Sequence, residues 1–262
     1  MSQVAVITGS TRGIGLGLAR ELHKHGCSVV VTGRSGADAV AAEFGDRALG
    51  VACDVADPDS VQAVWDAAVE RFGRVDIWIN NAGTTTIPVP LWEAPLSEVK
   101  ATLDTNILGT MHGAAVAIAG MRRQATGGRV FNVEGMGSKG EVQAGMLPYA
   151  TTKAAVGYLD KALQKELKGT NVALISIRPG INVTRHLLHG AEHLSAERWE
   201  KTKKIFNILG DKPETTTPWL AEKILSTTKS GSQIAWLTPM KVTGRFMTAG
   251  FRKRDLFADL DA

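Results

Sequence analysis

Thr8-Gly-Ser-Thr-Arg-Gly-Ile-Gly15 stands between an apolar run, Gln3-Val-Ala-Val-Ile7, and a segment over 13 to 25 with helical spacing. A glycine-rich turn that leaves a strand and opens a helix lets the backbone bend sharply. It also puts unpaired N–H groups and the positive end of the helix dipole at one point, where a pyrophosphate binds well. Gly9, Gly13 and Gly15 fall at intervals of four and two, which departs from the usual dinucleotide fingerprint. The alternative is a plain strand-to-helix connector, so the decision rests on what surrounds the loop.

Outward from this loop, short β-branched runs alternate with longer helical patterns, the mark of βαβ units and a parallel sheet covered on both faces. Strands are expected near residues 3 to 8, 28 to 32, 48 to 52, 75 to 79, 129 to 133, 172 to 178 and 233 to 238. Helices are expected over 13 to 25, 37 to 44, 59 to 72, 97 to 123, 148 to 168 and 214 to 229. The fold class is therefore α/β, a single Rossmann-type doubly wound domain over 1–262, with a seven-stranded parallel sheet. At 262 residues with 44% hydrophobic content the chain can bury a large core, and no Pro/Gly/Ser-rich linker divides it. A net charge of +4 is too mild and dispersed to point to nucleic acid. Cys27 and Cys53 lie in or beside apolar runs, which favours reduced thiols. The chain opens directly on a strand and holds no apolar run of membrane-spanning length, which predicts a soluble cytoplasmic protein.

Candidate cofactor contacts follow from the ends of the strands. The loop contributes Gly9, Ser10, Thr11, Arg12, Gly13, Ile14 and Gly15. The strand over 28 to 32 runs into Gly33-Arg34, where an acidic residue would instead accept from an adenosine ribose 2′-OH. Arg34 and Arg12 suit a 2′-phosphate, so NADPH is preferred over NAD; the alternative leaves Arg34 a solvated loop residue. Asp54, followed by Val55, is a candidate partner of the adenine amino group or a turn residue before Pro58. Asn80-Asn81-Ala82-Gly83 is an abrupt polar, flexible break after Ile77-Trp-Ile79. Tyr149-Ala-Thr-Thr-Lys153 places a phenol and an ammonium four residues apart on one helical face. A neighbouring cation lowers a phenol's pKa, so Tyr149 is expected below its usual value of about 10 and able to donate a proton. His186, His189 and His193 approach helical spacing, but Gly190 interrupts them and no cysteine or carboxylate completes a ligand set, so no metal site is expected.

Taken together, TGSTRGIG, NNAG and YATTK, in this order, resemble the short-chain dehydrogenase/reductase family over nearly the whole chain. Asp54, Asn106, Lys153 and Pro179-Gly180 agree as well. The resemblance implies that Tyr149 donates a proton to a substrate carbonyl while the nicotinamide delivers hydride. It gives Lys153 the nicotinamide ribose, Asn106 a relay water, and Pro179, Gly180 and Thr184 positions near the nicotinamide. One departure stands out. The family usually has an Asn-x-Ser-Ser type sequence after strand 5, whereas this chain reads Phe131-Asn-Val-Glu-Gly-Met-Gly-Ser138, with Glu134 and Gly135 at the serine positions. Ser138 is the candidate replacement, its alternative being a loop serine beside a Glu134 that caps or bridges.

FNVEGMGSKG, RPGINVTRHLL, IFNILGDKPET and WLTPMKV further resemble the plant chlorophyll b reductases. That implies NADPH-dependent reduction of the 7-formyl group of chlorophyll b to a hydroxymethyl, by a bacterial cytoplasmic homologue or the mature form of a chloroplast protein. The expected partner is a hydrophobic small molecule, a chlorin pigment, whose central Mg one of the histidines is a candidate to ligate. Residues 182–212 are expected to form a substrate lid with apolar Leu187, Leu188, Leu194, Trp199, Ile205, Phe206, Ile208 and Leu209. The arm over 239–262 mixes aromatic and basic residues, suited to peripheral membrane contact or to the interface of a homo-oligomer, dimer or tetramer. Alternatives are reduction of another hydrophobic ketone or aldehyde, and a non-catalytic dinucleotide-binding partner protein.

Overall fold

Strand β1 (Val4–Ile7) is buried at every position, as a strand covered on both faces must be. In the computed structural model, which describes residues 2–184, 187–188, 192–251 and 254–258, β1 is the hub of the sheet. Around it stand β2 (Ser28–Gly33), β3 (Ala48–Ala52), β4 (Ile77–Asn80), β5 (Gly128–Val133) and β6 (Val172–Arg178). Two short strands follow, β7 (Ile181–Asn182) and β8 (Gly210–Asp211), and then β9 (Gln233–Ala235). The main sheet has seven strands in the order β3-β2-β1-β4-β5-β6-β9, all pairs parallel. This is the doubly wound sheet expected from the sequence. The order reverses at β1 and β4, whose carboxyl ends open the crevice in which such sheets bind ligands.

One face packs β-sheet residues Ile7, Val31, Ile79, Phe131 and Ile177 against Leu18 and Leu22 of α1 (Gly13–Lys24) and Leu220 and Ile224 of α8 (Pro213–Ser226). The other packs Val30, Trp78, Val130 and Leu174 against Val64, Trp65 and Ala68 of α3 (Pro58–Phe72) and Met121 of α5 (Gly109–Arg123). Each large side chain removed from water in this way stabilises the fold by about 1.5–3 kcal/mol. Helix α2 (Ala37–Ala42) follows β2, and α6 (Leu147–Glu166) follows β5. Both cysteines are buried free thiols.

Three differences from the sequence-based expectation concern the site. The helix expected over 97 to 123 is α4 (Leu96–Leu103) and α5, joined by a π-turn at Asp104–Leu108. β7 and β8 form a separate two-stranded sheet that had no sequence signal. Between them runs α7 (Ala196–Leu209), and after β9 comes α9 (Pro239–Thr248).

Candidate active site

The glycine-rich loop is held by its own hydrogen bonds, and the neighbouring strand leaves it no room for side chains. Gly9 has φ +63°, and a Cβ on it would lie 2.9 Å from the Ala82 Cα. A Cβ on Gly15 would meet Asn81 Nδ2 and the Gly9 carbonyl oxygen at 2.5 Å each. The Thr8 hydroxyl accepts from the Asn81 and Ala82 N–H groups at 2.9 and 3.0 Å. Asn81 Nδ2 donates to the Thr8 and Gly9 carbonyls at 2.8 and 3.1 Å. Ser10 is fully buried: its hydroxyl donates to the Ile7 carbonyl at 2.7 Å and accepts from the Thr32 N–H at 2.9 Å. Its part is to shape the loop. Helix α1 starts at Gly13 with no side-chain cap from Arg12, so its first N–H groups are left for an anion. This cradle fits the pyrophosphate of a dinucleotide.

At the adenosine end, a Cβ on Gly33 would fall 2.7 Å from the Thr11 Cγ2, so the loop itself covers the place of the usual acidic residue. Arg12 and Arg34 are exposed, and neither is engaged in an ion pair among the described residues. Asp54 is exposed and uses one carboxylate oxygen on the Ala56 N–H at 3.0 Å. Val55 is buried, and its carbonyl is bonded to His112 Nδ1 at 3.0 Å. Thr184 reaches back across the crevice: its Cγ2 lies 3.5 Å from where a Gly13 Cβ would be. Gly180, at φ +77°, makes the turn after Pro179 possible, and Asn182 Nδ2 ties that turn by donating to the Pro179 carbonyl at 2.9 Å.

The chemical centre lies where α6 passes the ends of β4 and β5. Asn106 sits in the π-turn, which rotates it inward, and it is fully buried. Its Oδ1 accepts from the Thr84 N–H at 2.8 Å, while Nδ2 donates to the Thr84 carbonyl and the Thr152 hydroxyl, both at 2.9 Å. A Cβ on Gly83 would stand 3.3 Å from Asn106 Oδ1 and 4.0 Å from Lys153 Nζ. Asn106, Lys153 and Gly83 therefore lie side by side. Lys153 is buried, with Nζ donating to the Val133 carbonyl at 2.9 Å and standing 5.8 Å from the centre of the Tyr149 ring. Burial brings Lys153 down to about 8, against the pull of Glu134 and Asp160. Burial pushes Tyr149 up to about 12. The expectation that Lys153 would lower the phenol is thus corrected: desolvation outweighs a cation turned toward a backbone carbonyl.

Ser138 donates to Glu134 Oε2 at 3.1 Å, and its carbonyl oxygen packs where a Gly157 Cβ would come within 2.5 Å. The residue facing the Tyr149 hydroxyl is Gly135, on which a Cβ would lie 2.4 Å from that oxygen. Glu134 bridges instead of entering the pocket, accepting also from Gln233 Nε2 at 3.0 Å.

The segments over 182–212 and 239–262 are tied to each other. Asp211, 2% exposed, accepts from Arg245 and Arg254, each at 2.8 Å, and from the Trp236 indole N–H at 2.6 Å. Trp199 and Phe206 of α7 pack on Phe257, with ring centres 5.2 and 6.4 Å apart. These two rings of the expected substrate lid are engaged with the C-terminal arm. His186 and His189 lie outside the described residues, and His193 is exposed.

The short chain dehydrogenase family model matches residues 3–193. The chain belongs to this family of oxidoreductases. Its sequence is 32% identical over 276 residues to the probable chlorophyll(ide) b reductase NYC1, chloroplastic, of Arabidopsis thaliana, covering 97% of this chain and 54% of that protein. It thus spans about half the length of that relative. Identity to the chlorophyll(ide) b reductase NOL, chloroplastic, of rice (Oryza sativa subsp. japonica) is 34% over 93% of this chain and 74% of the relative. Among solved structures, a 3-ketoacyl-(acyl-carrier-protein) reductase from Brucella melitensis complexed with NADH superposes with a TM-score of 0.76 at 27% identity, over 89% of this chain and 96% of the other. That likeness and the glycine cradle together support a nicotinamide dinucleotide as the cofactor of this chain.

Sequence reasoning missed Gly135 as the neighbour of the Tyr149 hydroxyl, Thr152 as the anchor of Asn106, and Asp211 as the clamp. It also missed Asp160, although the 149, 153, 160 spacing puts all three residues on one helical face.

Proposed function

We propose that this chain is an NADPH-dependent reductase of the 7-formyl group of chlorophyll b or chlorophyllide b, giving the 7-hydroxymethyl product. One observation carries the substrate: the general family match ends at residue 193, whereas similarity to the Arabidopsis chlorophyll(ide) b reductase covers 97% of this chain. It therefore takes in α7, α8 and α9, which the general family match does not reach. NADPH is favoured over NADH by Gly33 in place of an acidic residue and by exposed Arg12 and Arg34, whose guanidiniums pair well with a 2′-phosphate.

A bound nicotinamide dinucleotide supplies the hydride that goes to the carbonyl carbon. As negative charge builds on the oxygen, Tyr149 delivers its hydroxyl proton to it, and the Lys153 ammonium stabilises the phenolate that remains. Asn106 holds the Thr84 backbone and Thr152, and through them the spacing between the 83–86 loop and α6. Gly135 leaves the phenol open to a bulky carbonyl substrate where a serine side chain would otherwise stand. A second reading, reduction of another hydrophobic ketone, is favoured by the likeness to the ketoacyl reductase.

The same reading extends to surroundings. Met240, Phe246, Met247 and Phe251 are exposed on and beside α9 and suit peripheral contact with a pigment-bearing membrane. Among the described residues no helix is long and apolar enough to cross one. Met111 and Tyr158 line an apolar cavity of about 420 Å³ between α5 and α6, a face suited to a second copy in a homodimer or tetramer. Such an enzyme works in the chloroplast for a plant-type chain and in the cytoplasm for a bacterial one.

Anaerobic incubation with NADPH and chlorophyll b, chlorophyllide b or a simple hydrophobic ketone, followed by chromatography, tests the assignment. Hydroxymethyl pigment is the expected product. Turnover of the ketone alone would refute the pigment assignment and leave the reductase chemistry standing.

A further inference from the structure

After the main sheet the chain is steered by two very short strands. β7 and β8 have two residues each, Ile181 paired with Gly210 and Asn182 with Asp211. A ladder so short does not hold itself in place, so what grips it from outside sets its position. Asp211 supplies the grip. Its carboxylate, 2% exposed, accepts from three other segments: Trp236 Nε1 just past β9, Arg245 of α9 and Arg254 beyond it. The same arginines meet the carbonyl end of α7, whose last oxygens have no partner inside the helix. Arg245 donates to the Leu209 oxygen at 2.8 Å and Arg254 to the Gly210 oxygen at 2.9 Å. Farther along the arm, the Leu256 N–H donates to Asn207 Oδ1 at 2.9 Å, and Phe257 is buried.

The turn that carries β7 rests on this clamp at both ends. At one end a Cβ on Gly180 would stand 3.0 Å from Trp236 Cδ1, in the ring whose N–H goes to Asp211. At the other the Val183 N–H donates to the Asp211 carbonyl oxygen at 2.9 Å. Thr184 comes next, and its Cγ2 lies 3.5 Å from where a Gly13 Cβ would be, at the start of α1. Between them Asn182 Oδ1 accepts from the Thr216 hydroxyl of α8 at 2.7 Å, a hold that does not involve the arm. We propose that the C-terminal arm is a positioning element of the cofactor site: through Asp211 it fixes Thr184 against the glycine-rich loop, so that arm docking and nucleotide binding favour each other. Asp211, Arg245 and Arg254 are positioning residues that act through the turn. The proposal rests on the reading of the glycine-rich loop as a dinucleotide cradle. Because Asn182 keeps its own anchor, breaking the clamp loosens the turn without releasing it, and the coupling is about tenfold.

Asp211→Asn and Arg245→Met should each raise the Kd for NADPH about tenfold, read by fluorescence titration of protein whose circular dichroism is unchanged. Asp76→Asn is the matched control. Asp76 is also buried, is paired with Arg74 and accepts from the Val4 N–H, but it precedes β4 at the end of the sheet opposite the cofactor crevice. This control should lower the melting temperature as the clamp variants do and leave the Kd within about twofold, which separates positioning from stability. Coupling is reciprocal, so NADPH should slow hydrogen exchange at the Leu256 amide about tenfold in wild type and by less than about twofold in Asp211→Asn. Unchanged NADPH affinity in both clamp variants, an equal loss in Asp76→Asn, or exchange at Leu256 indifferent to NADPH would each overturn the proposal. A wild-type protein that bound neither NADPH nor NADH would overturn the cradle reading with it.

Discussion

Replacing Gly135 with alanine puts a methyl carbon 2.4 Å from the Tyr149 hydroxyl oxygen, 3.2 Å from Lys153 Cγ and 3.3 Å from Lys153 Cε. An ordinary carbon–oxygen contact needs about 3.4 Å, so the phenol must retreat by about 1 Å. Gly135 is not among the positive-φ glycines, so the backbone accepts alanine without strain and the effect falls on Tyr149. A displacement of about 1 Å of a reacting group costs on the order of 10²-fold in rate, or about 2.7 kcal/mol of barrier. The assay is single-turnover oxidation of bound NADPH by the carbonyl substrate, with NADPH affinity measured separately by fluorescence. The rate should fall about 100-fold while affinity changes less than about threefold, because the glycine cradle is remote. A variant that kept its rate within about twofold would refute the placement of Tyr149 as the proton donor.

Tyr149→Phe should remove at least about 10³-fold of the rate and leave the circular dichroism spectrum and NADPH affinity intact, since it deletes only the proton donor. Ser138→Ala should cost less than about threefold in rate, because the Ser138 hydroxyl donates to Glu134. Activity should fall as pH rises through about 8, where the buried Lys153 loses its charge, while Tyr149, at about 12, stays protonated throughout; an alkaline limb near 10 or above would contradict this. Arg34→Ala should raise KM for NADPH about 10–100-fold with little change for NADH, the worth of a charge-assisted phosphate contact. Asp211→Ala should lower unfolding free energy by about 3 kcal/mol, since it leaves Arg245 and Arg254 of the C-terminal arm without their carboxylate.

The sheet was legible because its strands are mostly β-branched and apolar runs, and the cofactor end because glycines at 9, 13 and 15 leave few alternatives between a strand and a helix. The π-turn at Asp104–Leu108 was not legible, since one extra residue per turn barely disturbs a helical hydrophobic period. β7 and β8 are two residues each, too short to carry an alternation. Tyr149 and Lys153 were found by spacing, but the pKa of Tyr149 depends on burial, which spacing does not report. Ser138 drew attention because hydroxyls carry chemistry. In the folded chain the residue facing the Tyr149 hydroxyl is Gly135, which carries no side chain to be noticed. Asp211 follows a glycine in what reads as a loop, and its two arginine partners lie 34 and 43 residues away, beyond any local pattern.

The most direct test of the reductase reading follows the hydride itself. Chlorophyll b is incubated anaerobically with the protein and NADPH deuterated at the transferred position of C4, and the isolated pigment is weighed by mass spectrometry. The account predicts 7-hydroxymethyl pigment carrying deuterium on the new carbinol carbon, with none formed by Tyr149→Phe. Unlabelled hydroxymethyl pigment, or labelled pigment formed equally well by Tyr149→Phe, would contradict it.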